Sequence, residues 1–68
     1  IDLIIENAGV LHPLEIKKHA DPTKKDIEAF SVLDKIPGIV RGNGGVICLY
    51  DKLVSLTDKD RIIPVKYL

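Results

Sequence analysis

The chain predicts an α/β fold, a mixed β-sheet joined by one crossover helix. Three observations carry that expectation. Two β-rich runs flank Asn7-Ala8-Gly9, and apolar residues recur at helical spacing after Asp21-Pro22-Thr23. A continuous apolar run, residues 46–50, then stands between glycines and Asp51-Lys52.

Residues 1–6 and 10–18 read as an antiparallel hairpin, because Asn and Gly between them tolerate the positive φ of a tight reversal. The register is predictable too. An even-length loop pairs Asn7 with Val10, Ile5 with His12, Leu3 with Leu14 and Ile1 with Ile16. One face is then almost wholly apolar, and the other holds Asp2, Ile4, Glu6, Leu11, Pro13, Glu15 and Lys17, with Asp2 opposite Glu15. A three-residue loop would slip the pairing by one, scatter the apolar residues and send Asp2 away from Glu15.

Asp21 or Thr23 supplies a helix N-cap, Pro22 suits the first turn, and Thr23 with Asp26 matches a capping box. Ile27, Phe30 and Leu33, joined by Ala29, Val32 and Ile36, give a broad apolar stripe, and Pro37-Gly38 ends the helix. Residues 41–45 read as a flexible connector. Residues 46–50 read as a strand buried on both faces and, through a right-handed crossover, parallel to the second strand. Residues 53–56 and 62–65 form a closing hairpin around Thr57-Asp58-Lys59-Asp60, with Pro64 marking its last strand as an edge.

Sixty-eight residues make one small domain at most, 1–68. The chain opens on Ile inside a strand, so the expectation is a partial domain, the C-terminal piece of a larger protein. Ten Lys and Arg balance ten Asp and Glu, so no cationic excess announces a nucleic-acid partner. No apolar run reaches the length of a membrane span, and no signal peptide is visible. The lone Cys48 excludes an intramolecular disulfide; its apolar neighbours imply a buried, inert thiol and a reducing, cytoplasmic setting.

The candidate chemistry is Asp2 with Glu15-Ile16-Lys17. Cutting a phosphodiester needs an activated water, charge neutralised on the phosphate and help for the leaving oxygen, much of which a Mg²⁺ held by carboxylates supplies. Asp2 and Glu15 are the expected metal ligands, with the Ile16 carbonyl as a third oxygen donor. Lys17, two residues after Glu15, projects on the same side to orient the water or steady developing charge. Asp2 facing Glu15 disfavours the sheet by roughly 0.2–1 kcal/mol unless a cation sits between them. Glu6 is a weaker third carboxylate.

Blander readings stand beside this one. Asp, Glu and Lys on a solvated sheet face are ordinary, and Glu-x-Lys alone is a common tripeptide. Lys17-Lys18-His19 with Lys24 and Lys25 would track a phosphate backbone, or simply be a solvated strand end and first helical turn. His19 reads as a loop histidine and His12 as a half-buried one. Gly42-Asn43-Gly44-Gly45 is no phosphate loop, since it follows a helix and enters a strand, and Asp58-Lys59-Asp60 lacks the pattern of a calcium loop.

Nearly the whole chain carries a resemblance. Ile1-Asp2-Leu3-Ile4-Ile5, His12-Pro13-Leu14-Glu15-Ile16-Lys17-Lys18 and Asp21-Pro22-Thr23-Lys24-Lys25-Asp26 resemble the C-terminal domain of unknown function of a large prokaryotic AAA+ ATPase family. Gly45-Val46-Ile47-Cys48-Leu49-Tyr50 and Ile63-Pro64-Val65-Lys66-Tyr67-Leu68 fit its ending. That domain is similar to restriction-endonuclease-like folds with a PD-(D/E)xK site, onto which Asp2, Glu15 and Lys17 map one for one.

The resemblance implies a nuclease-like domain ending an ATPase, with Mg²⁺ as cofactor and DNA and the ATPase region as partners. ATP would bind only outside this chain, which has no Walker-type residues. The chain lacks the helix and strand that open the usual core, so it implies a partial restriction-endonuclease-like core. An apolar sheet face left bare by that helix would drive dimerisation or strand exchange. The alternative function is an inert scaffold that docks the ATPase onto a partner or nucleic acid.

Overall fold

The computed structural model, which describes residues 1–68, pairs β1 (Leu3–Asn7) antiparallel with β2 (Val10–Ile16). Over β1 the register is the expected one: Asn7 meets Val10, Ile5 meets His12 and Leu3 meets Leu14, while the expected Ile1–Ile16 and Asp2–Glu15 pairs fall outside the ladder. Ala8 (φ 53) and Gly9 (φ 83) form the two-residue turn. The left-handed residues are therefore Ala8 and Gly9, while Asn7 stays in the strand. Pro13 falls opposite Ile4. Alternation from the turn makes that a non-bonded pair, so the missing N–H removes no hydrogen bond from the hairpin.

A helix over Lys24–Lys35 returns the chain to the start of the sheet. Its capping box forms as expected: the Thr23 hydroxyl accepts from Lys25 N–H at 3.3 Å, and Asp26 Oδ2 accepts from Thr23 N–H at 2.9 Å. The helix is 3₁₀ throughout, with three residues per turn, so side chains three apart eclipse. That narrows the expected stripe. Ile27, Phe30 and Leu33 are buried, whereas Ala29, Val32 and Ile36 face solvent.

β3 (Val40–Arg41) pairs parallel with the start of β2, and β4 (Gly44–Cys48) pairs parallel with its end. The supposed flexible connector is thus largely sheet, and the central strand begins two residues earlier than expected. The glycines explain the shift. An alanine Cβ at Gly44 would stand 2.7 Å from Asp60 Oδ1 and 2.8 Å from the Pro13 carbonyl oxygen, so only glycine lets these backbones close.

β5 (Val54–Ser55) and β6 (Asp60–Pro64) form the closing hairpin, with β6 parallel to β4. The sheet runs β1-β2-β4-β6-β5, with β3 beside β2. β6 is therefore internal, contrary to the reading of Pro64 as an edge marker. The proline is tolerated because β5 pairs only with Arg61 and Ile62, leaving Pro64 uncovered on that side. A 3₁₀ turn, Val65–Tyr67, follows.

The helix packs on one sheet face through Ile27 and Phe30 against Val46, Cys48 and Ile62, and Cys48 is the buried free thiol expected. Parallel register puts Pro13 and Glu15 on this covered face beside Gly44 and Val46. The face expected to be solvated is therefore the one beneath the helix. The other, with Leu3, Ile5, Leu14, Ile16, Ile47 and Ile63, is open, so Ile47 is only half-buried and the strand is not sealed on both sides. No helix is long and apolar enough to cross a membrane.

Candidate functional site at the carboxyl end of the parallel strands

β2, β4 and β6 all run the same way, so Ile16, Cys48 and Pro64 end together. Ligands of open α/β sheets gather outside such carboxyl ends. Glu15-Ile16-Lys17 lies there.

Glu15 and Lys17 are in contact: Lys17 Nζ is 3.3 Å from Glu15 Oε2, and the Glu15 side chain is only 14% exposed. The Ile1 amino nitrogen stands 3.2 Å from Glu15 Oε1. That oxygen is buried and is in no hydrogen bond. An enclosed carboxylate oxygen with no donor is disfavoured by about 1–3 kcal/mol or more.

Asp2 takes a different position. Its Oδ2 accepts the Ile16 N–H at 2.8 Å, and its own N–H donates to the Leu14 carbonyl at 3.0 Å. The side chain therefore extends the hairpin ladder just beyond β1. Lys17 N–H, one residue on, bonds the Ile47 carbonyl of β4 at 2.9 Å. Strand alternation then sends the Ile16 N–H and carbonyl together toward β1, on the Asp2 edge. The structure thus joins Glu15 to Lys17, and Asp2 to the backbone of the residue between them.

The surrounding candidates are engaged elsewhere. Glu6 Oε2 accepts the Gly9 N–H at 3.2 Å and braces the turn at the far end of β1. His19 Nδ1 is 3.3 Å from Asp21, and its Nε2 is 3.7 Å from Asp26, so it faces the helix start. His12, on the open face, has Nδ1 2.8 Å from the Asn43 carbonyl oxygen. Lys18, Lys24 and Lys25 are exposed. No three His, Cys, Asp or Glu side chains group closely enough to hold a metal by themselves, and no cavity borders Glu15.

A second polar centre, at the amino end of the strands, escaped the sequence reading. Arg41 Nη2 meets Asp60 Oδ2 at 2.8 Å, with the side chains only 10% and 5% exposed. Thr57 Oγ1 donates to the same oxygen at 3.0 Å and accepts the Asp60 N–H, and the guanidinium lies 5.4 Å from the Phe30 ring centroid. With Asp34, Asp58 and Lys59 these residues line a polar cavity of about 290 Å³. A signal was present: Asp60, Ile62 and Pro64 alternate onto one buried face, and a buried acid calls for a cation.

No curated protein and no solved structure matches the chain. A family model does match, over residues 1–68, and domains of that family generally occur with AAA ATPases. The chain belongs to the family described as a domain of unknown function, DUF4143.

Proposed function

We propose that this chain is the nuclease-like domain of an AAA+ ATPase, with its phosphodiesterase site at Asp2, Glu15, Ile16 and Lys17. The observation that carries the reading is the buried, donor-less Glu15 Oε1 beside Lys17 at the carboxyl end of the parallel strands. A carboxylate enclosed and left unsatisfied suits a ligand better than it suits the sheet.

The donor set fits Mg²⁺ in kind. Asp2, Glu15 and the Ile16 carbonyl are hard oxygen donors, and Mg²⁺ keeps several waters while taking one or two carboxylates. The ion would supply Lewis acidity and a water acidic enough to attack phosphorus. The chain's own part is positional and electrostatic. Lys17 lies against Glu15, and its ammonium would face the phosphate oxygens as negative charge develops. The Asp2–Ile16 hydrogen bond fixes the strand ends that carry these groups. Exposed Lys18, Lys24 and Lys25 would follow the DNA backbone.

Calorimetric titration of Mg²⁺ or Mn²⁺ into the protein and its Glu15→Ala variant tests the metal. Binding by the unaltered protein and none by the variant is the expected result; no binding by either removes the enzyme reading. DNA cleavage by the ATPase carrying this domain, with and without Lys17→Ala, tests the chemistry.

A second reading, an inert scaffold, is favoured by the prior engagement of both acids. Glu15 already has Lys17 as a cationic neighbour, and Asp2 Oδ2 already accepts an amide proton. Equal residual cleavage by the Lys17→Ala protein would favour the scaffold.

A further inference from the structure

We draw no further inference here: the strongest candidate, the polar cavity at the amino end of the strands lined by Asp34, Arg41, Thr57, Asp58, Lys59 and Asp60, carries nothing, because its mixed acids and bases select no ligand and its buried oxygen without a partner, Asp60 Oδ1, is turned toward Gly44, outside the cavity lining.

Discussion

The two ends of the sheet each hold an acid–base pair, and the pairs are built differently. At the amino end, Asp60 and Arg41 are almost fully enclosed, and Asp60 Oδ2 takes hydrogen bonds from both Arg41 and Thr57. At the carboxyl end, Glu15 is enclosed but Lys17 is about one-third exposed, while each acid leaves one buried oxygen without a donor, Asp60 Oδ1 and Glu15 Oε1. The first pair joins the returning chain to the last strand, while the second closes nothing. On the proposed reading the difference in exposure separates charges that hold the fold from charges available for chemistry, and stability measurements can test it.

The largest effect is expected from Asp60→Ala. It strands a buried guanidinium, a loss of about 3–5 kcal/mol. A domain of this length has roughly 3–10 kcal/mol in total, so the variant should be largely unfolded by circular dichroism. The double variant Arg41→Met/Asp60→Leu removes both charges and should recover much of the loss. Failure to recover would mean that the network fixes geometry in a way apolar packing does not replace.

Next in size is Gly44→Ala, because its Cβ would meet Asp60 Oδ1 at 2.7 Å and the immobile Pro13 carbonyl at 2.8 Å. Overpacking of this kind destabilises by about 1–3 kcal/mol. Gly45→Ala meets mainly Ile63 Cδ1 at 2.5 Å, the free end of a flexible side chain on the open face. Its urea midpoint should fall less. Reversal of that order would show that the helix-covered face is the looser of the two surfaces.

The hairpin register was legible because one alignment alone gathers the apolar residues, and the capping box because Thr23 and Asp26 have a fixed local chemistry. The parallel placement of β4 followed from one helix between two strands. What escaped depended on what lies above each face. Alternation assigns Pro13 and Glu15 to a common side, but it cannot say that the helix covers that side and leaves Leu3, Ile5 and Ile16 open. The Arg41–Asp60 pair spans 19 residues across the sheet, beyond any local pattern. The helix stripe was read too broadly because 3₁₀ geometry eclipses every third residue. Glu15 and Lys17 were expected together and are; the carboxylate of Asp2 sits on the Ile16 backbone, a detail that spacing does not encode.

Thr23→Ala offers a mid-sized control near the carboxyl end. It removes one hydrogen bond of the capping box and should lower stability by about 1 kcal/mol. Divalent-ion binding should be unchanged, because Thr23 contributes no ligand. A loss of ion binding in this variant would place the ion at the helix start, with His19, Asp21 and Asp26, rather than at Glu15.

The smallest stability change, and the most discriminating, is expected for Glu15→Gln. The substitution keeps the volume and removes the charge that faces Lys17. Pairs with one partner well exposed contribute about 0–1 kcal/mol, and relief of an unsatisfied buried oxygen offsets part of that. The urea midpoint should therefore hardly move while divalent-ion binding disappears, the reverse of the pattern at Asp60. Suppose instead that Glu15→Gln unfolds the chain as readily as Asp60→Ala. The two ends of the sheet would then be doing the same mechanical work, and Glu15 would lose its claim to be a ligand held in reserve.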